Sequence, residues 1–244
     1  MITAGETIRK ADAFWAGYFG CTVEDINGSK TVVGVHKALE SYDGVLVFRH
    51  GSALIVSVPD QTPEIERQRL RAATPELAFD PDFLARNFVV WRDRVSPPAW
   101  VGVADRADFK PPASSARLLT KTDETAVRKL AEGCGELAWK QSKLTIDREP
   151  NFGLYVDGAI VAASSYLVMG GVLAYIGVVT HPQHRGHGYA RQVVGASMAY
   201  AFEKGLIPMW RTPHANAAAI ALGTSIGFKH YASTRDVQLV ESEF

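Results

Sequence analysis

Residues 152–180 contain three apolar runs, FGLYV, AIVAASSYLV and VLAYIGVVT, separated by Asp157-Gly158 and Gly170-Gly171. Each dipeptide tolerates positive φ at consecutive positions, which is what a tight hairpin turn matched to the twist of its strands requires. The runs are therefore expected to form an antiparallel meander, whose apolar faces need helices packed on them.

The third run leads directly into HPQHRGHGYA, residues 181–190, where four basic or potentially basic side chains and two glycines are concentrated. Beyond it, Val194, Met198, Ala201 and Phe202 fall at i, i+4, i+7 and i+8 before Gly205, so the spacing predicts a helix over 189–204. A strand, a glycine-rich loop and a helix in that order aim the loop amides and the helix N-terminus at one point, which makes an anion site. Glycine is needed where a side chain would hold phosphate oxygens away from the backbone. The expected donors are the amides of Arg185 to Ala190, with the Arg185 guanidinium adding a charge-assisted contact.

Two common phosphate motifs do not fit. The P-loop requires a Lys and a Ser or Thr that are absent here. The dinucleotide fingerprint would start at Gly186 and Gly188 but meets Arg191 at its third small position, after hairpin-linked strands. What fits is Q-x-x-G-x-G, as Gln183-His184-Arg185-Gly186-His187-Gly188. With these residues the sequence resembles the GNAT superfamily of CoA-dependent N-acyltransferases. Asn216, Ala219, Leu222, Ile226, Gly227 and Phe228 fall at the spacing of that family's later N-x-x-A-x-x-L and G-F element. The resemblance covers roughly residues 116–244.

The resemblance implies a GNAT-like fold, a mixed and largely antiparallel sheet flanked by helices, within an α/β (α+β) chain. It implies transfer of an acetyl or other acyl group from acetyl-CoA to a primary amine, by direct attack on the thioester. The loop residues Gln183, His184, Arg185, Gly186, His187, Gly188, Tyr189 and Ala190 would cradle the CoA pyrophosphate. Val178, Val179 and Thr180 would align the pantetheine arm by strand-like hydrogen bonds, with a backbone N–H near Val178 or Val179 donating to the oxyanion. Asn216 would sit near the CoA arm, a role compatible with capping a helix.

An amine must lose a proton to react, so a base is required within reach or linked through water. Glu136 in CGELAW is the first candidate and His214, just before Asn216, the second. Many members of the family carry a tyrosine where this chain has Gly223, and that tyrosine protonates the departing thiolate. A CoA thiol with a pKa of about 8.5 leaves tolerably without help, and Ser225, Tyr166 or a water can substitute.

Residues 105–119, with Pro111 and Pro112, read as a seam, so a boundary is expected near residue 112, with domains over 1–112 and 113–244. In the smaller α+β domain before it, GVLVFR and ALIVSV read as a hairpin. AGETIRKADAFWAGYFG and TPEIERQRLRAA read as helices, the second capped by Thr62. Trp15, Phe83, Trp91 and Trp100 are expected core or interface anchors, and no motif here carries identifiable chemistry. After the seam, ARLLTK is an expected strand and ETAVRKLAEG a helix capped by Thr122 or Asp123. LIPMWRT is an expected strand, NAAAIALGTSI a helix and GFKHYASTRDVQLV one or two strands.

The chain balances 26 Lys and Arg against 26 Asp and Glu, which argues against a nucleic-acid partner held by an extended basic stripe. The cysteines, Cys21 and Cys134, are too few for a disulfide framework. No leader or membrane span is apparent, so a cytoplasmic protein without membrane partner is expected. His181, His184 and His187 lack carboxylate or cysteine support for a metal, and none is expected. A non-catalytic acyl-CoA binding or sensing module is the competing reading, motivated by Gly223; the amine acceptor and the oligomeric state are left open.

Overall fold

The structure is a computed structural model that describes residues 4–36, 44–90, 94–142, 144–145 and 150–239. The chain divides into two compact units, each discontinuous in sequence. The first comprises Ile8–Val101, Thr212–Asn216 and His230–Phe244; the second comprises Met1–Thr7, Gly102–Arg211 and Ala217–Lys229. Residues 105–119, with the Pro111-Pro112 pair, lie inside the second unit.

In the first unit, α1 (Ala4–Phe19) ends at Gly20, which takes φ +69°, and α2 (Val23–Ile26) follows behind a Thr22–Asp25 capping box. The strands β1 (Thr31–Val35), β2 (Val45–His50), β3 (Ala53–Val58), β4 (Ala99–Ala104) and β10 (Phe228–Val237) take the order β1-β3-β2-β10-β4. β2 and β3 form the expected hairpin through Gly51, and β10 pairs antiparallel with β2. One face is covered by α3 (Glu64–Ala72), α4 (Pro75–Ala78) and α5 (Pro81–Asn87), which bury Leu70, Ala78, Leu84 and Ala85 against Val45, Val47, Leu54 and Val56. α1 contributes Trp15 and Phe19, stacked at 5.2 Å, with Phe48 5.0 Å from Phe19. Trp15 and Trp100 are buried as expected; Phe83 is partly buried against the same core, and Trp91 lies outside the described residues.

Thr62 does not cap α3. Pro63 occupies the N-cap position with no side-chain hydrogen bond, and the buried Thr62 hydroxyl has no partner. Strands β1 and β4 and the short helices α2, α4 and α5 are not anticipated from the sequence. AWVGVA in β4 is buried at every residue, so it shows no alternation to read.

In the second unit the sheet order is β9-β8-β7-β6-β5, made by β5 (Arg117–Leu118), β6 (Asn151–Val156), β7 (Ala159–Met169), β8 (Leu173–Thr180) and β9 (Ile207–Pro213). The meander is as expected: β6, β7 and β8 pair antiparallel, Asp157 and Gly158 take φ +48° and +80°, and Gly170 and Gly171 take +56° and +70°. β9 joins β8 in parallel. α6 (Glu124–Cys134) and α7 (Glu136–Ser142) cover one face, where Val127 and Leu130 meet Ile160, Ala163 and Val179. α8 (Tyr189–Glu203) covers the other, where Val193 meets Leu154, Val161 and Ala162. Inside that contact the buried Ser197 hydroxyl donates to Ser164 Oγ at 2.9 Å, and Ser164 Oγ donates to the Gly177 carbonyl at 2.8 Å. Pro112 packs so tightly on α8 that a β-carbon at Gly195 would lie 2.5 Å from its Cδ.

Asp123, one of the two expected caps, holds the N-cap position of α6 but makes no side-chain cap bond there. Thr120 and Asp123 form a capping box around a 3-10 turn at Lys121–Asp123 before the α-helix begins, and the helix continues through Gly133 to Gly135, which has φ +81°. ARLLTK shrinks to the two-residue β5, and α9 (Ala217–Ile226) is followed by β10 as one unbroken strand. No helix of the described residues is long and apolar enough to cross a membrane.

Candidate functional site

The site begins where two strands part. β8 and β9 are in register only from Leu173 to Tyr175, opposite Ile207 to Met209. β8 nevertheless runs on to Thr180, paired with β7 along its whole length. Backbone groups in a strand face its two neighbours alternately, and two bonds fix the alternation here. The His181 amide donates to Val161 of the β7 side, and Ile207 donates to the Val172 carbonyl. The even-numbered residues of β8 therefore face β9. The last parallel bridge, Tyr175 to Met209, uses the Ile176 N–H; beyond it the Ile176 C=O and the N–H and C=O groups of Val178 and Thr180 point to a side where strand pairing has ended.

This parity separates the three strand residues named from the sequence. Val178 offers its N–H to the open edge, whereas the Val179 N–H belongs to the β7 ladder and its side chain is buried against α6 and α7. Thr180 offers its backbone to the edge; its carbonyl takes the Arg185 Nε at 3.5 Å, and its hydroxyl is buried without a partner. Ile176, whose carbonyl shares the open edge, is not singled out by the sequence motifs, since only the end of the β8–β9 pairing reveals it.

The glycine loop follows immediately. Pro182–His184 form one 3-10 turn, with the His181 Nδ1 accepting from the Gln183 amide at 3.4 Å. Gly186 and Gly188 take φ +81° and +75°, and a β-carbon on either would meet nothing within 4 Å. The space above the loop is open. Gly188 is the N-cap of α8 and supplies no side-chain cap, so the N–H groups of Tyr189, Ala190 and Arg191 at the first turn have no intrahelical acceptor. His187 donates from Nδ1 to the Arg185 carbonyl at 2.9 Å and stacks on Tyr189 at 5.5 Å. The His184 ring lies 6.4 Å from Tyr189. The histidines thus buttress the loop, and the loop presents amides and one guanidinium with no carboxylate among them. That donor set fits the phosphates of a nucleotide-like ligand, and the adjoining strand edge fits an amide-bearing arm.

The proposed catalytic groups lie in different places. Glu136 is the first residue of α7 and is exposed, not part of a loose connection. Ser225, on α9, donates its hydroxyl to the Leu222 carbonyl at 2.7 Å, the neighbour bond of a helix serine. Tyr166 is buried on β7, where burial and then Tyr200 push its phenol above the ordinary range. His214 belongs to the first unit; its amide donates to the Pro98 carbonyl at 2.9 Å and its Nε2 lies 3.0 Å from the Ser233 hydroxyl. Asn216 directly precedes α9, and its amide donates to the Pro213 carbonyl at 2.9 Å. Ser233 and His230 were not named from the sequence, because nothing in the spacing of a terminal strand tells which residues it lays beside His214.

Residues 118–228 match the model described as the Acetyltransferase (GNAT) family. Among solved structures, an acetyltransferase from the GNAT family of Colwellia psychrerythraea is 18% identical, with a TM-score of 0.51, covering 60% of this chain and 57% of its own. A GCN5-related N-acetyltransferase from Kribbella flavida is 16% identical, with a TM-score of 0.48, covering 63% of this chain and 62% of its own. A GCN5-related N-acetyltransferase-like protein from Streptococcus suis is 16% identical, with a TM-score of 0.49, covering 96% and 99%. The chain thus spans about 57 to 62% of the length of the first two. At these identities the likeness is one of fold. No curated protein matches the sequence.

Proposed function

From the match of residues 118–228 to the GNAT acetyltransferase family, we propose that the protein transfers an acetyl group from acetyl-CoA to a primary amine. One observation carries the reading: the pairing of β8 with β9 stops at Tyr175 and Met209, beside a glycine loop that opens a 15-residue helix. Acetyl-CoA, as the co-substrate, would lay its pantetheine amides along Ile176, Val178 and Thr180. Its pyrophosphate would meet the amides from Gly186 to Arg191 and the Arg185 guanidinium. The Val178 N–H faces the open edge and would donate to the oxyanion that forms as the amine attacks the thioester carbonyl.

His214 and Glu136 are the two candidate bases: the His214 imidazole is held by the Ser233 hydroxyl, and the exposed Glu136 has no group orienting it among the described residues. Either would take the proton of the ammonium. Thiolate departure proceeds without a tyrosine at position 223. A second reading, an acyl-CoA sensor, draws on that same glycine. The test is release of free CoA thiol in the presence of a series of primary amines, with acetyl-CoA affinity measured in parallel. Amine-dependent release supports transfer; tight binding with no release from any amine supports the sensor.

A further inference from the structure

Two hydroxyls of the second unit are buried in a layer that is otherwise apolar. Ser164 on β7 and Ser197 on α8 are both 0% exposed, between the sheet and the helix where Val193 meets Leu154, Val161 and Ala162. A buried hydroxyl is unfavourable unless it is bonded, and here the bonds have one possible direction. The Gly177 carbonyl can only accept, so Ser164 gives it its single proton, at 2.8 Å. Ser197 is then the donor to Ser164 Oγ, at 2.9 Å. The bonds run one way, from α8 through β7 to the backbone of β8.

They end on a particular peptide. Gly177 faces β7 in the register pair with Ser165, whereas Val178 turns its N–H to the edge left open beyond Tyr175 and Met209. One planar unit joins the Gly177 carbonyl to the Val178 N–H. Its carbonyl end is therefore held from β7, and its N–H end is the donor assigned above to the oxyanion. By the alternation that pairs His181 with Val161, the Ser165 N–H is the ladder donor to the Gly177 oxygen; the Ser164 hydroxyl takes the second lone pair. A second donor on a carbonyl draws electron density from the amide nitrogen, and hydrogen bonds in series polarise one another. The Val178 N–H becomes a stronger donor, and its direction is fixed before a thioester arrives.

We propose that Ser164, supported by Ser197, is a positioning residue for acetyl transfer, polarising the Gly177–Val178 peptide and holding the Val178 N–H toward the oxyanion. The proposal rests on the acetyl-transfer reading and on Val178 as its oxyanion donor. Both serines are fully buried, so they act through the peptide and not on the acyl group, and no proton leaves either of them. As the amine attacks, the neutral thioester carbonyl becomes an oxyanion, and a polarised N–H gains more against the charge than against the neutral oxygen. The effect therefore falls on kcat and not on acetyl-CoA binding. Polarisation adds about 10–30% to a bond whose loss costs about 10²–10³ in rate, so removing it should slow turnover a few-fold.

The test compares the wild type with Ser164→Ala, Ser197→Ala and the double variant, reading CoA thiol release with n-butylamine as acceptor. Ser164→Ala should lower kcat about fivefold while acetyl-CoA affinity stays within about twofold. Ser197→Ala leaves the Ser164 bond to Gly177 in place and should lower kcat by about twofold or less. Stability should take a different order. Ser164→Ala removes the acceptor of the buried Ser197 hydroxyl, whereas the double variant removes both hydroxyls, so the double variant should regain Tm while its kcat stays at the Ser164→Ala level. In NMR spectra the Gly177 carbonyl carbon and the Val178 amide nitrogen should both move upfield in Ser164→Ala, and less far in Ser197→Ala. A kcat that follows Tm across the series, or resonances unmoved by Ser164→Ala, overturns the role of Ser164. Absence of CoA release by the wild type overturns the acetyl-transfer reading and the role with it, an outcome distinct from an active wild type whose variants keep its kcat.

Discussion

The indole of Trp210 occupies the space beside Gly223: a β-carbon on that glycine would lie 3.2 Å from Trp210 Cε3 and 3.6 Å from Phe228 Cδ2. Trp210 and Phe228 pack edge to face at 5.6 Å, both buried. The position where many relatives carry a tyrosine is thus closed by core packing. Gly223→Tyr is expected to cost about 1–3 kcal/mol through overpacking, read as a lowered Tm, and to leave the basic limb of the pH–rate profile where it was. A stable variant with faster CoA release would show that the position accepts an acid after all.

The alternation along β8 makes two adjacent prolines behave differently. Proline at 178 removes an N–H that faces the open edge, whereas proline at 179 removes one from the β7 ladder. Val178→Pro should keep most of the stability and lower kcat by about 10²–10³, the size of a lost oxyanion donor. Val179→Pro should destabilise by about 3 kcal/mol or more. Thermal unfolding and acetyl-CoA turnover of the two variants side by side check the parity.

Asp123 gives the second unit an acid-sensitive clamp. Its carboxylate takes Arg117 at 3.0 and 2.6 Å, the Tyr155 hydroxyl at 2.6 Å and the Thr120 amide at 2.8 Å. Arg117, then Tyr155, hold the Asp123 carboxyl well below the usual carboxylate range. Folding therefore favours the ionised form. The stabilisation is complete above the unfolded value of about 3.9 and is lost as pH falls through the depressed folded value. Arg117 is half exposed, so solvent screens the ion pair and the neutral donors carry much of the effect. Asp123→Asn should cost about 1–3 kcal/mol at pH 7, and the difference from wild type should shrink below about pH 4 in denaturant unfolding.

Gly227, the glycine of the G-F pair, has φ +114°, and a β-carbon there would lie 2.4 Å from the Asp108 carbonyl oxygen. Gly227→Ala is expected to destabilise by about 2–4 kcal/mol, from backbone strain and overpacking together. Acetyl-CoA affinity of the folded fraction should stay unchanged, and a loss of affinity without loss of stability would contradict this structural role.

The meander, the loop and the helix after it were legible because each depends on local chemistry: Asp157-Gly158 and Gly170-Gly171 for the turns, Val194, Met198 and Ala201 for the buried stripe of α8. The hydrogen-bonding role of Val178 was only half legible. Strand period placed the residue at the site, but which face its N–H takes depends on where β9 departs, a tertiary fact. Thr62 misled because Pro63 fixed the chain before the threonine was in position to cap. Ser233 and His230 carry no local signature beside His214, since the contact joins residues 19 positions apart, one just past β9 and the other within β10. Short helices such as Pro75–Ala78 span too few residues to show a period.

The central claim is that the loop from Gly186 to Ala190 holds the phosphates of acetyl-CoA. Calorimetric titration of acetyl-CoA into the wild type and into Gly188→Glu tests it most directly, with thermal unfolding confirming that both are folded. A β-carbon at 188 meets open space, so the glutamate would put bulk and negative charge into the cradle itself. The account predicts micromolar binding by the wild type and its loss, by at least about a hundredfold, in the folded variant. Equal binding by both proteins, or none by the wild type, would contradict it.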